Sequence, residues 1–213
     1  MDKRFFFPFI LAGTSASCLF DCMELLEQKI QQCGKVIGTD ILKVDNFLNH
    51  QLDIALLYEM GKDVYEHFKN CAVGKILTIE ASGIAYAAIT AQFFGCNVVF
   101  AKKKGCKNQS SDVYTAQVHS FTHGNDNVIA VDKRYIEAGE RVLIMDDFLA
   151  HGEALRGLIE VVGQAGATVV GCAVAIEKYH QGGGESVRRM GIDVYSQAVV
   201  ETMSEEAGVT FKR

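Results

Sequence analysis

The sequence predicts an α/β fold with a mostly parallel central sheet flanked by helices. Short apolar runs typical of buried strands alternate with longer segments whose apolar residues recur at helical spacing. Such alternation favours a parallel sheet covered on both faces, because each helix returns the chain to the start of the next strand. No linker-like run or repeat interrupts the 213 residues, so one domain is the simplest interpretation.

The first half of the chain predicts helices that alternate with two short strands. MELLEQKIQQCG is typical of a short helix, and Asp53 can cap a second one. The second helix has apolar or small residues at helical spacing, namely Ile54, Leu57, Gly61, Val64, Tyr65 and Phe68. KILTI and NVVFA are apolar runs typical of buried strands. Between them, IAYAAITAQFF is an Ala-rich helix that ends at Gly95.

The second half begins with a predicted β-hairpin. SSDVYTAQVHSFTHGNDNVIAVD alternates with period two and is broken at Gly124 and Asn125. RVLIMDD, ATVVGCAVAIEK and IDVYSQAVV follow as three core strands. A helix with an apolar stripe separates the first two strands, and the short helix GESVRRMG separates the last two. The stripe consists of Leu155, Leu158, Ile159 and Val162.

The composition excludes several classes of protein. The net charge is −5 and there is no dense Lys/Arg block, which argues against binding to nucleic acid. No apolar run reaches the roughly 18 residues of a membrane-spanning helix. The seven cysteines are scattered without zinc-ligand spacing, which favours reduced thiols in a cytosolic protein. We therefore expect a cytoplasmic protein that binds neither nucleic acid nor membrane.

The first 22 residues differ from the rest of the sequence. Lys3 and Arg4 precede an apolar stretch, and small residues then lead to Cys18, which is the outline of a signal peptide. The alternative is that Met23 is the natural start and residues 1–22 are an extension peripheral to the fold. We favour this alternative, because the chemistry inferred below uses a cytosolic metabolite. The expected domain is therefore residues 23–213.

Polar residues stand at the ends of four predicted strands. They are Glu80-Ala81-Ser82-Gly83, Lys102-Lys103-Lys104, Asp146-Asp147 and Glu177-Lys178. Each group alone is weak evidence, because acid pairs and lysine runs are commonly solvated and an Ala-Ser-Gly turn commonly caps a helix. In open α/β sheets, however, ligands bind beyond the carboxyl ends of the strands. Their occurrence at successive strand ends predicts one ligand site.

The residues that follow Asp147 are the most informative. Gly152 allows a tight turn, and a helix begins at once, so free N–H groups and the positive end of the helix dipole face the turn. This arrangement binds phosphate. The Walker and dinucleotide glycine patterns are absent, which argues against a nucleoside-triphosphate hydrolase or a dinucleotide fold. Carboxylates accept hydrogen bonds from vicinal hydroxyls, so a sugar phosphate fits both features.

VLIMDDFLAHGEAL resembles the phosphoribosyl-diphosphate signature of the type I phosphoribosyltransferases. The resemblance extends from Met23 to Arg213. LKVDNFLNHQLD, TIEASGIAYA, VVFAKK and AIEKYHQGG are most similar to the bacterial xanthine phosphoribosyltransferases. The resemblance implies the type I fold, with a small hood built partly from the N-terminal segment, and a homodimer.

The resemblance also implies roles for the residues at the strand ends. Asp146 and Asp147 would bind the ribose hydroxyls. The 5-phosphate would lie on the backbone of the loop Ala150, His151, Gly152, Glu153 and Ala154. The diphosphate would meet the loop Glu80, Ala81, Ser82 and Gly83, with Lys102 and Lys103 neutralising its charge.

Recognition of the base would fall to residues from two other parts of the chain. Lys178 would donate to the 6-oxo group of a purine, since an ammonium offers donors only. Leu42, through its backbone, and Asn49 would contact the base from the hood. Asn49 can present either an N–H or a C=O, and it could instead be a turn residue before the helix at Asp53. A flap from Lys107 to Thr115 would close over the reaction.

The implied reaction is substitution at the anomeric carbon, with diphosphate as the leaving group. Mg²⁺ would be held mainly by the substrate 5-phosphoribosyl 1-diphosphate and water, so no side-chain metal cluster is expected. Xanthine is the expected base, and guanine or hypoxanthine remain alternatives. A third alternative is a non-catalytic protein of the same fold that senses the diphosphate substrate.

The sequence departs from the superfamily in the phosphate loop. Many members carry Thr-Gly-Gly-Thr where this chain has His151, Gly152, Glu153 and Ala154. Glu153 would repel a phosphate if its side chain pointed inward. We expect it to point outward at the start of the helix, where the dipole favours a carboxylate.

Overall fold

The computed structural model describes residues 21–103, 112–120 and 125–213. An eight-stranded sheet forms the centre of the protein, with strand order β10-β9-β8-β7-β3-β4-β6-β5. Its strands are β3 (Lys75–Ile79), β4 (Asn97–Lys103), β5 (Val113–Ser120), β6 (Asn125–Asp132), β7 (Arg141–Leu149), β8 (Thr168–Lys178), β9 (Val194–Ser204) and β10 (Gly208–Phe211). A separate two-stranded hairpin consists of β1 (Lys35–Ile37) and β2 (Ile41–Lys43).

Strands β9, β8, β7, β3 and β4 run parallel and form the middle of the sheet. The antiparallel hairpin β5–β6 extends one edge, and β10 pairs antiparallel to β9 at the other. The predicted mostly parallel sheet is therefore confirmed. Because parallel strands end at the same edge, the polar residues at the ends of β3, β4, β7 and β8 come together.

Five α-helices flank the sheet in the part of the chain that the structure describes, and a short π-helix spans Asp45–Asn49. The α-helices are α1 (Asp21–Cys33), α2 (Ile54–Phe68), α3 (Gly83–Phe94), α4 (Glu153–Gln164) and α5 (Gly183–Arg188). The first three pack with one face of the sheet around Leu57, Tyr86 and Met145. The fourth packs on the other face, where the predicted residues Leu155, Leu158 and Val162 are buried. Helices on both faces account for the long apolar runs of the strands.

Helix α2 begins as the sequence predicts but buries a different first residue. Asp53 caps it, because the Asp53 carboxylate accepts a hydrogen bond of 3.2 Å from the Leu56 N–H. Leu57, Val64 and Phe68 are buried, whereas Ile54 is 59% exposed. Ile54 therefore shares the helical spacing of these residues but not their burial. The helix has just begun at this position, and Leu56 takes the buried place instead.

Two short elements were not predicted from the sequence. The β1–β2 hairpin and β10 each have three or four residues per strand, too short for a clear period-two pattern. Strand β9 is consequently not the last strand of the sheet. Most of the extension 1–22, the break at Gly124 and residues 107–111 of the expected flap lie outside the described residues. Among the described residues, no helix is long and apolar enough to cross a membrane.

Candidate active site

The acid pair lies within β7, at its carboxyl end, and is almost completely buried. Asp146 is 5% exposed and Asp147 is 7% exposed. The Asp147 N–H donates to Asp146 Oδ1 at 3.0 Å. Burial, and then the neighbouring Asp147 carboxylate, raise the pKa of Asp146 well above its usual range. Carboxyl oxygens accept hydrogen bonds from hydroxyl groups, so two adjacent carboxyls can bind the two hydroxyls of a sugar diol.

Each acid lies close to a different predicted site residue. The Asn49 amide Nδ2 donates to Asp147 Oδ2 at 3.4 Å, and Asn49 Oδ1 is buried with no protein partner in the described part of the chain. A Cβ on Gly83 would lie 3.3 Å from Asp146 Oδ1. The acid pair therefore lies between the segment that carries Asn49 and the loop that precedes α3.

The loop Ala150–Ala154 turns directly from β7 into α4. Gly152 has φ 82° and Glu153 is the first residue of α4, as the glycine and the helix pattern predict. The loop borders a cavity of about 260 Å³ at the end of the sheet. This cavity is also lined by Lys103 of β4, Phe148 of β7 and Ile79 of β3. The unpaired N–H groups of the first turn of α4 therefore adjoin an open space of ligand size.

Glu153 is not simply directed into solvent. Its carboxylate is 29% exposed and accepts a hydrogen bond from the Arg156 guanidinium one turn later. The sequence-based expectation considered the dipole at this position but not the i,i+3 pair, although Glu-x-x-Arg on a helix is a recognisable signal. Arg156 is thus a site residue that was not predicted from the sequence.

The loop Glu80–Gly83 joins β3 to α3 beside the acid pair. The peptide bond between Glu80 and Ala81 is cis. The Glu80 carboxylate accepts a hydrogen bond of 2.8 Å from the Lys103 N–H, which ties this loop to the end of β4. Ser82 precedes α3 without a side-chain cap bond. The loop therefore lies beside the end of β4, where Lys102 and Lys103 are exposed.

Gly83 packs too closely for any other residue. A Cβ at this position would collide with the Thr78 hydroxyl and approach Asp146. Thr78 is fully buried, and its hydroxyl has no partner within the described residues. The glycine thus allows α3 to begin directly above the acid pair.

Lys178 ends β8 and reaches the β1–β2 hairpin. Its Nζ donates to the Asp40 carbonyl at 2.6 Å and lies 5.6 Å from the centre of the Phe148 ring. Burial lowers the pKa of Lys178, although the Asp40 charge opposes the shift. Leu42 lies on β2, two residues after Asp40, and its side chain is buried. Phe148 and Asp40 were not predicted, yet both contact the predicted base-binding lysine.

Glu177, the neighbour of Lys178, has a structural role. It is 1% exposed, and its carboxylate accepts hydrogen bonds from Arg188 at 2.9 and 2.7 Å. Burial alone would raise the pKa of Glu177, but the bonds from Arg188 and Ser196 hold it below the ordinary value. The strand-end pair Glu177-Lys178 therefore divides, since Glu177 bonds to Arg188 of α5 whereas Lys178 contacts Asp40 and Phe148. Among the described residues, no group of three or more metal-binding side chains is present.

Comparison with known proteins gives a consistent assignment. The phosphoribosyl transferase domain matches residues 43–203. Xanthine phosphoribosyltransferase of Ruminiclostridium cellulolyticum is 50% identical over 85% of this chain and 95% of that protein. Xanthine phosphoribosyltransferase of Bifidobacterium adolescentis is 51% identical over 87% of this chain and 97% of that protein.

Solved structures show the same fold at lower identity. The APRTase of Giardia lamblia, solved in complex with 9-deazaadenine, aligns with TM-score 0.71 and 24% identity over 82% of this chain and 97% of that one. The adenine phosphoribosyltransferase of Rhodothermus marinus aligns with TM-score 0.69 and 24% identity over 85% and 99%.

Proposed function

The chain belongs to the phosphoribosyl transferase domain family, and we propose that it is a xanthine phosphoribosyltransferase. It transfers the 5-phosphoribosyl group from 5-phospho-α-D-ribose 1-diphosphate to xanthine. The products are xanthosine 5-phosphate and diphosphate. The observation that carries this proposal is identity of about half to xanthine phosphoribosyltransferases over nearly their whole length.

The strand-end residues would divide the work on the phosphoribosyl donor. Asp146 and Asp147 bind the ribose hydroxyls, and the backbone of Ala150–Ala154 binds the 5-phosphate. The loop Glu80–Gly83 holds the diphosphate, with Lys102 and Lys103 beside it. This arrangement fixes the sugar between its two phosphate groups, so the anomeric carbon faces the incoming base. What supports it is the convergence of these residues at one edge of the sheet.

The base would enter between β8 and the hairpin. Lys178 donates to the 6-oxo group, and the Phe148 ring beside it offers an apolar face for the purine. Asn49 has a second amide hydrogen besides the one directed at Asp147, and this hydrogen suits the 2-oxo group of xanthine. The backbone of Leu42 completes the contact from β2. A ring nitrogen then attacks the anomeric carbon as diphosphate leaves through an oxocarbenium-like state.

The residues present fit a magnesium ion that the substrate largely holds. Mg²⁺ in phosphate-transfer sites is bound by one or two carboxylates together with substrate oxygens and water. The site offers one such pair, Asp146 and Asp147, and the described residues hold no larger cluster. Either carboxylate would contact the ion or its waters. The ion would stabilise negative charge on the leaving diphosphate.

A direct assay tests the proposal. The purified chain is supplied with the diphosphate substrate, Mg²⁺ and one of four bases: xanthine, guanine, hypoxanthine or adenine. We expect the highest kcat/KM with xanthine. Greater efficiency with guanine or hypoxanthine would reassign the base. Tight binding of the diphosphate substrate without turnover of any purine would contradict the enzyme assignment and indicate a sensor of that substrate.

We also propose a cytoplasmic homodimer. The dimer is supported by apolar residues left exposed on α2, since Ile54 is 59% and Tyr58 is 50% exposed. Tyr58 packs on Phe93 of α3 at 5.0 Å between ring centres, so both helices contribute to this face. Sedimentation should give a dimer, and Ile54→Glu should shift it toward monomer. A chain that stays monomeric at all concentrations would contradict the proposal.

A further inference from the structure

Arg156 lies on the second turn of α4 and contacts three parts of the candidate site. Its Nη2 donates to the His151 carbonyl at 3.0 Å and to the Glu153 carboxylate. Its Nη1 donates to Ser186 Oγ of α5 at 3.0 Å. One side chain therefore joins the 5-phosphate loop, the first turn of α4 and the helix that follows the base-binding strand.

The 5-phosphate loop and the residues that follow Lys178 also touch through their backbones. The Gly183 N–H donates to the Ala150 carbonyl at 3.1 Å. Gly183 is buried, and a Cβ there would lie 2.6 Å from Gly152 N. No side chain can be placed between the two segments, so a displacement of one must move the other.

The negative charge of Glu153 explains why Arg156 matters for the 5-phosphate loop. An ionised carboxylate in the first turn of α4 would weaken phosphate binding through repulsion. The Glu153 and Arg156 side chains are 29% and 33% exposed, so their pairing is less screened than that of an open surface pair. Paired in this way, Glu153 adds little net negative charge where the 5-phosphate binds.

From these contacts we propose that Arg156 is a positioning residue. It cancels the charge of Glu153 at the 5-phosphate loop and holds that loop against the segment that follows Lys178. This inference rests on the proposed function, because it takes Ala150–Ala154 as the 5-phosphate site. The planar guanidinium can bond to three groups at once, whereas a lysine ammonium could meet Glu153 but could not also bridge to Ser186.

The test combines steady-state kinetics with direct binding of ribose 5-phosphate. In Arg156→Met, Glu153 is left unpaired, so KM for the diphosphate substrate and Kd for ribose 5-phosphate should each rise about tenfold. The double variant Arg156→Met/Glu153→Gln should recover most of this loss, because the repulsive charge is gone. An arginine that serves only stability would behave differently, since the second substitution would then bring no recovery.

Two further variants complete the design. Arg189→Met removes an exposed arginine at the end of α5 and should leave both constants unchanged. Arg156→Lys keeps the charge without the bridge, so Kd for ribose 5-phosphate should stay within about twofold while KM for xanthine rises about threefold. If Arg156→Met does not fold, Arg156→Lys still tests the proposal. An unchanged KM for xanthine in Arg156→Lys would overturn the bridging role.

The outcomes separate this inference from the function on which it rests. Wild-type affinity for ribose 5-phosphate in Arg156→Met, or a double variant no better than the single one, would overturn the role of Arg156. Absence of purine turnover by the wild type would overturn the proposed function alone, because ribose 5-phosphate binding is measured without catalysis.

Discussion

At the scale of single residues, the site depends on charges that the fold has partly removed from water. Burial raises the pKa of Asp146 and lowers the pKa of Lys178. Both shifts favour the uncharged form, and both groups belong to the predicted site. Perturbed groups of this kind cluster at functional sites because a ligand can supply the interactions that water no longer provides.

The pH dependence of base binding should report the ionisation of Lys178. Burial lowers its pKa, so the ammonium loses its proton at a lower pH than an ordinary lysine. The kcat/KM for xanthine should therefore fall on the alkaline side as pH rises through this lowered pKa. In Lys178→Arg, whose guanidinium stays protonated, the fall should move to higher pH.

The comparison between the two enzymes isolates the side chain, because ionisation of xanthine itself is common to both. KM for the diphosphate substrate serves as the internal control and should change little. If kcat/KM for xanthine fell over the same alkaline pH range in the wild type and in Lys178→Arg, the assignment of Lys178 to the base would be contradicted.

At the scale of elements, helix α4 must lie close to the hairpin β5–β6 to form one wall of the cavity. Gly157 makes this approach possible, because a Cβ there would lie 2.6 Å from Val118 Cγ2 and 3.3 Å from Ile129 Cδ1. Gly163 lies on the same helix, and a Cβ added there would have no neighbour within 4 Å among the described residues. The two glycines therefore differ in packing but not in secondary structure.

Alanine at these two positions should change stability in opposite directions. Gly163→Ala should stabilise the fold by roughly 0.5–1 kcal/mol, because alanine is the better helix former. Gly157→Ala gains the same propensity but overpacks the interface with the hairpin, so a net loss of about 1–2 kcal/mol is expected. Urea denaturation measures both changes. Equal stabilisation by the two substitutions would show that the hairpin yields freely.

The ion pair between Glu177 and Arg188 should make the β8–α5 connection sensitive to acid. Bonds from Arg188 and Ser196 hold the pKa of Glu177 below its ordinary value despite burial. Its stabilisation is therefore complete above the ordinary glutamate pKa and is lost as pH falls through the lowered one. Glu177→Gln should lower the free energy of unfolding by about 2 kcal/mol at pH 7, because Arg188 loses its charged partner but stays partly hydrated. The substitution should also make stability fall less steeply as the pH is lowered.

Thermal unfolding measured from about pH 3 to about pH 7, where carboxylates titrate, provides the test. The exposed Glu201 of β9 offers a matched control, and Glu201→Gln should alter stability by no more than about 0.5 kcal/mol. If stability fell as steeply with decreasing pH in Glu177→Gln as in the wild type, other carboxylates would govern the acid dependence.

The sequence predicted those elements whose apolar periodicity was strong. Strands β7 and β8 and helix α4 were found because long apolar runs and a clear stripe mark burial. The hairpin β1–β2 and strand β10 were missed because short strands at an edge carry little pattern. In the site, strand ends and the Glu153-x-x-Arg156 spacing were visible in the sequence, but the contacts of Arg156 with α5 and of Phe148 with Lys178 were not. Their roles depend on neighbours that are distant in sequence or on side-chain direction.

At the scale of the whole molecule, a buried polar network joins helices on one face to the sheet. Asp63 of α2 accepts hydrogen bonds from Tyr195 and Gln197 of β9, at 2.6 and 2.7 Å. Gln197 in turn accepts a bond of 2.7 Å from the Tyr86 hydroxyl of α3. Helix α3 begins at the end of the loop Glu80–Gly83, so this network links the core to the position of that loop. Satisfied buried networks of this kind favour one arrangement of the elements.

Ligand binding should stabilise the molecule as a whole, and Mg²⁺ should be needed for the full effect. At about 100 times its Kd, the diphosphate substrate should add about 2.7 kcal/mol to the free energy of unfolding. Chelation with EDTA should remove most of this gain, because the ion would no longer neutralise the diphosphate. Thermal shift without the base measures it. An equal shift with and without EDTA would contradict a metal-assisted substrate complex.

The bond between Lys178 and the Asp40 carbonyl has a consequence for how strictly bases are selected. In the free protein the ammonium already has an acceptor at 2.6 Å. In the proposed complex, a base with a 6-oxo group would replace the Asp40 carbonyl as the partner of Lys178, whereas a base without one would leave the existing bond intact. Strong rejection requires that the wrong ligand leave a buried group unpaired. If Lys178 binds the base as proposed, it would set a preference for 6-oxo bases, and strict exclusion of competitors would depend on other contacts with the base.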